Sequence, residues 1–392
     1  MNKRIAFDLS GLAWKYRTGV QNLYWAFVDA WVKQPQLFIN SEVFFYDRSG
    51  CFNQNLYEIL GERYRSCAPT WWPSKLRRPL QVVIRSTNLN MPKLSECVNH
   101  VWNWGIYSPP DCRSSITIPD VLPLEYPQWF NKKFINLTEK SLRFAIDRAE
   151  YVFTISYDVK KRVCKLTGIS PHRIHVVYPS ISPSFFLEID FNQSKILLDK
   201  HRLIPHRYLI SSGFLDPRKN LERQLLAFSL VIGKGISDLK YVITGIKTRL
   251  SKEILKIIEL PHMKDKVIFL DYVSNKDLIN ITSQSAALMY CGIAEGFGLP
   301  IIQSMALGVP IITSANTSMQ EIGKNKAYLV NPEDVEAIAE KIMEVVHLPQ
   351  ELKNIQLDIN KKYASKFTIE NWLCGHLDIF SGNNHALQNR WV

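Results

Sequence analysis

Short apolar runs recur along the chain between longer segments whose apolar residues return every third or fourth position, an alternation that points to parallel β/α units. In the first half RIAFDL, SSITIPD, YVFTIS and IHVVYP read as buried strands; in the second half RYLISSG, KYVITG, VIFLDYV, AALMYCG and VPIITS do so. Helical patterns separate them. Val20, Leu23, Tyr24, Phe27, Val28 and Trp31 share one buried face, and residues 139–148 and 158–166 flank the YVFTIS run. Later helices are expected over 220–232, 250–258, 276–285, 300–307 and, as the last strong one, 333–347, where acids open the helix. Regularity fades between Ser182 and His206, and the chain of 392 residues exceeds what one core fills. The expectation is two doubly wound domains in tandem, with a ligand in the cleft that their strand ends face.

Composition narrows the class. With 46% hydrophobic and 21% charged residues the chain is neither disordered nor membrane-spanning. No apolar run approaches the roughly 18 residues that cross a bilayer, and Asp8 and Lys15 interrupt the opening segment, so a cytoplasmic protein without a signal peptide is expected. The seven cysteines form no C-x-x-C pair and no metal-ligand spacing, and read as reduced. A net charge of +12 calls for an anionic partner. Its density peaks where Arg63, Arg65, Lys75, Arg77, Arg78, Arg85 and Lys93 stand against only Glu62 and Glu96. No nucleic-acid motif accompanies this charge, and no nucleic-acid partner is expected.

Neither a G-x-G-x-x-G fingerprint after the first strand nor a Walker-type loop is present, which disfavours a nicotinamide enzyme and a P-loop. Glycines do stand at loop-to-helix junctions, where free backbone N–H groups favour an anion: Gly19 and Gly298. In SGFLDPRKN a proline-stiffened loop delivers Arg218 and Lys219 to the mouth of the next helix, a place cations usually avoid. For an isolated pair, a solvated loop with incidental charge is the better reading. In AEGFGLPIIQSMALGVP, Gly296 and Gly298 allow a sharp turn and Pro300 suits a first helical position. Glu295 is left in the loop, where a carboxylate can accept hydrogen bonds from two hydroxyls of a sugar.

These residues carry a resemblance. EGFGLPIIQSMALGVPII, with GFLDPRKN upstream and FLDYVSNKDLINITSQSA between, resembles the C-terminal domain of glycosyltransferase family 4, a retaining family of GT-B fold. RIAFDLSGLAWKYRTGVQNLYWAFVDA, ITIPDVLPLEYPQWF, AEYVFTISYDVKKRV and GISPHRIHVVYPSI resemble elements of its N-terminal domain, so the likeness covers nearly the whole chain. It implies an α/β GT-B architecture of two Rossmann-like, doubly wound parallel-sheet domains facing a central cleft. Residues 1–182 would bind acceptor, 183–206 would link the domains, 207–370 would bind nucleotide-sugar, and 371–392 would form a tail packing back on the N-terminal domain.

The resemblance also implies roles. Lys219, with Arg218, holds the donor diphosphate, Glu295 binds sugar hydroxyls, and Gly19, Gly213, Phe297, Gly298 and Leu299 approach the donor. Gln303 stands where the family has a second Glu; its amide can still hydrogen-bond a ribose. Pro119 replaces a His that precedes Asp120 in many relatives, leaving Asp120 as a candidate for orienting the acceptor hydroxyl or, equally, as a loop cap. His100, among aromatics, reads as packing. No Asp-x-Asp pair is present, so neither a metal nor another cofactor is expected beyond the nucleotide diphosphate sugar as substrate. Trp71 and Trp72 beside Lys75, Arg77 and Arg78 suit shallow docking on an anionic membrane, a packed loop, or a grip on an acceptor phosphate. The implied protein is a retaining, metal-independent glycosyltransferase, peripheral at the inner face of the cytoplasmic membrane. It moves a hexose such as mannose to a lipid-linked saccharide in O-antigen or surface polysaccharide assembly. A catalytically degenerate relative that binds saccharide or partners another transferase is the alternative.

Overall fold

Among the described residues every strand pairing is parallel, as buried apolar runs joined by helices require. The computed structural model describes residues 4–8, 19–38, 41–45, 64–66, 97–102, 113–213, 216–245, 251–271 and 273–382. The chain divides into two compact units, residues 1–182 with 368–392, and residues 183–367.

The first unit is built on a sheet of seven strands: β1 (Arg4–Asp8), β2 (Ser41–Phe45), β3 (Tyr64–Ser66), β4 (Cys97–Trp102), β5 (Ser114–Ile118), β6 (Tyr151–Thr154) and β7 (Ile174–Val176). Their order is β3-β2-β1-β4-β5-β6-β7, so the winding reverses between β1 and β4. Gly19 opens the helix Gly19–Lys33. The helix Tyr157–Thr167 starts where the Ser156 hydroxyl accepts from the Val159 N–H and stops at Gly168, which is left-handed at φ +70°. Val159 and Val163 from that helix join Ile116, Ile118 and Val152 in the core. The helix Ile369–Phe380, capped by Thr368, belongs to this unit: Trp372 packs on Phe7 and Phe27 at 5.6 and 6.1 Å between centroids.

The second unit carries β8 (Tyr208–Ser212), β9 (Lys240–Thr244), β10 (Val267–Leu270), β11 (Ala287–Tyr290), β12 (Ile311–Ser314) and β13 (Tyr328–Val330) in the order β10-β9-β8-β11-β12-β13. The reversal falls between β8 and β11. Helices Leu221–Gly233 and Val335–Val346 pack together and bury Leu225, Phe228, Val231, Ile338 and Ile342. Each such side chain contributes about 1.5–3 kcal/mol of transfer free energy.

Residues 183–206 differ from the expected linker. They fold into the second unit as a 3-10 turn, Pro183–Phe186, and the helix Phe191–Lys200. Leu197 and Leu198 are buried, and the Ser194 hydroxyl donates to the Asn280 side-chain carbonyl at 2.9 Å. The segment reads as irregular because its apolar residues do not share one face: Phe191 and Ile196 are exposed, while Ser194 is buried with Leu197 and Leu198. A further helix, Gln350–Ala364, follows the one expected to be the last strong one. Among the described residues no helix is long and apolar enough to cross a membrane.

Candidate active site

In a doubly wound sheet the crevice lies beyond the carboxyl ends of the strands where the winding reverses, here β8 and β11. The turn after β8 and the turn after β11 both carry charge, and they meet. Asp216 caps the 3-10 turn Pro217–Lys219: its carboxylate accepts from the Arg218 N–H at 3.1 Å and from the Arg218 guanidinium at 3.0 Å. Asn220, left-handed at φ +57° and buried, donates to the carbonyls of Cys291 (3.0 Å) and Pro332 (2.6 Å). The Ile293 N–H donates to the Arg218 carbonyl at 2.7 Å. The DPRKN turn is thereby fastened to the loop that follows β11.

That loop is fastened on its other side as well. Ser314, Asn316 and Ser318 donate to the carbonyls of Gly292, Ile293 and Glu295 at 2.6, 3.0 and 3.1 Å. Gly298 is left-handed at φ +94°, and the helix Leu299–Ala306 begins directly after it with Pro300 in its first turn.

Held between these anchors, the Lys219 ammonium donates to the Glu295 carboxylate in direct contact and to the Tyr290 hydroxyl at 2.5 Å. Arg218 stands 4.0 Å from the same Glu295 oxygen. The amine also lies 4.4 Å from the Tyr290 ring centroid. The side chains of Lys219 and Glu295 are 16% and 12% exposed, so solvent screens the pair little. Burial pushes the Glu295 carboxyl upward, but the charges of Lys219 and Arg218 overcome it and bring it down to about 2. Burial likewise opposes the Lys219 ammonium, and Glu295 outweighs it, raising the lysine above its ordinary value. The Tyr290 hydroxyl is pushed up to about 12, chiefly by burial, and stays neutral. Beside the amine opens a small recess whose lining includes Ser212, Gly213, Lys219, Gln224, Tyr290 and Gly292.

The structure thus brings together Lys219, Arg218, Glu295 and Gly213; a Cβ on Gly213 would lie 3.8 Å from the Lys219 Cε. Gln303 is half-buried one turn into the helix Leu299–Ala306, and Leu299 is half-buried at its start. Phe297 is 3% exposed, with its ring 6.0 Å from that of Phe367. In the first unit, Gly19 lies at a helix N-terminus. Asp120 accepts from the Leu122 N–H at 3.2 Å, the geometry of a loop cap, and is half-buried. Pro119 is buried at the end of β5. His100 is fully buried, with Ser115 at 2.9 Å from one ring nitrogen and Thr117 at 3.0 Å from the other, which is a packing role. Trp71, Trp72, Lys75, Arg77 and Arg78 lie outside the described residues. Tyr290, Asp216 and Asn220 escaped the reading of the sequence. The signal for Tyr290 was its place at the carboxyl end of a strand, and for the other two the turn chemistry of DPRKN.

Comparison with solved structures agrees with this architecture. The Anabaena protein Alr3699/HepE, solved in complex with UDP and glucose, superimposes with a TM-score of 0.69 over 97% of this chain and 100% of its own, at 15% identity. The fold is GT-B, with two Rossmann-like parallel-sheet units. Residues 198–362 match the family of glycosyl transferases group 1, and the resemblance to bacterial mannosyltransferases holds. The O-antigen chain mannosyltransferase RfbU of Salmonella typhimurium is 29% identical over 259 residues, 66% of this chain and 66% of the relative. The O-antigen chain mannosyltransferase B of Escherichia coli is 25% identical over 232 residues, 59% of this chain and 61% of the relative. The chain therefore spans somewhat less than two thirds of the length of these relatives.

Proposed function

We propose that the chain is a retaining, metal-independent glycosyltransferase of family 4. It transfers a hexose such as mannose from a nucleotide diphosphate sugar to a lipid-linked saccharide in O-antigen or surface polysaccharide synthesis. The observation that carries this reading is the convergence of Lys219, Arg218 and Glu295 beside a recess at the reversal point of the second sheet. The names of the relatives, O-antigen chain mannosyltransferases, favour the sugar and the setting.

In this reading the diphosphate occupies the recess, and Lys219 and Arg218 neutralise the charge that grows on it as the sugar departs. Preorganised cations in a site largely closed to water are the main source of rate for such a step. The bond between the anomeric carbon and the phosphate oxygen breaks while the acceptor hydroxyl bonds to the same face of that carbon. The hydroxyl proton passes to the departing phosphate oxygen, so no separate base is needed and Pro119 is tolerated. Glu295 holds hydroxyls of the sugar, and Gln303 hydrogen-bonds the nucleotide ribose. Gly19, at the N-terminus of its helix, offers backbone N–H groups to the diphosphate. Asp120 orients the acceptor, and Trp71, Trp72, Lys75, Arg77 and Arg78 dock the protein on the anionic inner membrane surface.

The test is a panel of UDP- and GDP-linked hexoses offered with a lipid-linked saccharide acceptor in the presence of EDTA. The expected result is transfer from one donor, with the anomeric configuration of the donor preserved in the product by NMR. Binding of a donor with no transfer to any acceptor favours the degenerate saccharide-binding relative, to which the buried Pro119 already lends support. Absence of both binding and transfer refutes the donor site.

A further inference from the structure

The Lys219 ammonium has three N–H donors, and Glu295 and Tyr290 take two of them. The lysine engages Glu295 through one carboxylate oxygen, and sugar hydroxyls that the same carboxylate accepts, as proposed above, weaken that hold when donor arrives. A lysine on a flexible four-carbon stem that loses a partner gains rotamers, and a cation with several positions is a poor clamp. Tyr290 remains. Its hydroxyl stands 2.5 Å from the amine, and a Cβ on Gly298 would sit 3.6 Å from its Cε1, so the turn that carries the acid backs the ring. Its backbone is equally fixed: the carbonyl accepts from the Thr313 hydroxyl at 2.9 Å, and β11 lies inside the sheet between β8 and β12. As a neutral hydroxyl it accepts from the ammonium without competing, as an anion would, for the place of the diphosphate.

We infer that Tyr290 is a positioning residue that keeps the Lys219 amine aimed into the recess when Glu295 turns to the sugar. This rests on the donor reading, and a comparison of parent and variant separates the two. The probes are GDP and UDP without sugar, titrated calorimetrically at neutral pH into the parent, Tyr290→Phe, Lys219→Met and the double variant. Tyr290→Phe keeps the ring and removes only the hydroxyl.

The expected result is nucleoside diphosphate affinity about 10-fold lower in Tyr290→Phe, the scale of one hydrogen bond to a charged group. In the Lys219→Met background the same change should have no further effect, a non-additivity that a packing role would not produce. Equal affinity in Tyr290→Phe, or a loss that persists in full in the Lys219→Met background, would overturn the inference, and so would a loss of folding in that variant that Lys219→Met does not share. A parent that binds neither GDP nor UDP would overturn the donor reading and this inference with it.

Discussion

Lys219 and Glu295 are 76 residues apart in the chain and in direct contact in the structure, each neutralising the other at the carboxyl ends of adjacent strands. Neither charge would be stable there alone. Burial works against both, and each keeps its charge because the other is present. The pair is therefore a structural element of the second unit as much as a binding one. That joins two properties which activity measurements alone would confuse.

Removing Lys219 leaves the buried Glu295 with only the more distant Arg218, 4.0 Å away, a loss of up to about 3–5 kcal/mol, whereas replacing both partners by uncharged groups costs less. Lys219→Met should accordingly lower the urea midpoint of the second unit more than the double variant Lys219→Met/Glu295→Gln does. The sign extends to pH. Glu295 is held at about 2 against an ordinary value of 4.5, so its contribution is fully present above pH 4.5 and disappears as pH falls toward 2. In Lys219→Met the carboxyl should titrate well above its parent value, and denaturant curves taken at successive pH values read that displacement.

In the first unit the acid response falls in a different range. The His376 Nδ1–H donates to the Trp372 carbonyl at 2.9 Å, while Nε2 meets no hydrogen-bond partner among the described residues. The rings of His100 and Phe153 lie at 4.8 and 4.4 Å. Burial, with the nearby His175, brings His376 down to about 4 despite the Trp372 carbonyl. A histidine buried neutral binds its proton more readily in the unfolded chain, so stability is complete above about pH 6.5 and is lost as pH falls toward 4. His376→Phe should remove about one proton from this linkage, flattening the dependence by ~1.4 kcal/mol per pH unit between those limits. Urea unfolding followed by tryptophan fluorescence at half-unit pH steps measures it; an unchanged slope would mean the imidazole is not buried neutral.

How far these features were legible in the sequence depends on which face of each element carried the signal. Five of the six strands of the second sheet, all but Tyr328–Val330, were readable because both faces of the sheet are covered and their residues are apolar in succession, as in Ala287–Tyr290. The strand Cys97–Trp102 was not, because His100 occupies a fully buried position by hydrogen-bonding Ser115 and Thr117. The helix Gln350–Ala364 misleads in the opposite way. Its aliphatic positions Leu352, Ile355 and Ile359 are exposed, while Asn360 is buried and donates to the Lys326 carbonyl at 3.0 Å. Glu295, Arg218 and Lys219 stood out through turn chemistry, yet their mutual pairing is a tertiary fact that spacing does not encode. Tyr290 was absorbed into a strand pattern that any large apolar residue would have satisfied.

A last consequence concerns the floor of the recess, where the exits from β8 and β9 touch backbone to backbone. Gly245 is at φ +132°, and a Cβ there would stand 2.0 Å from the Gly213 carbonyl oxygen and 2.8 Å from its carbon. A backbone neighbour cannot rotate away as a side chain can. Gly245→Ala must therefore part the two strand exits, breaking the Gly213 N–H bond to the Thr244 carbonyl at 3.1 Å and carrying Gly213 away from Lys219. Gly235 provides the control. It is also left-handed, at φ +99°, but a Cβ there meets nothing within 4 Å. Gly235→Ala should cost only the conformational penalty of about 1–2 kcal/mol and leave nucleotide binding intact. Gly245→Ala should cost clearly more in thermal melting and weaken nucleoside diphosphate binding as well. Equal melting temperatures for the two variants would show that the strand exits can separate without strain, and would remove the argument that their contact shapes the recess.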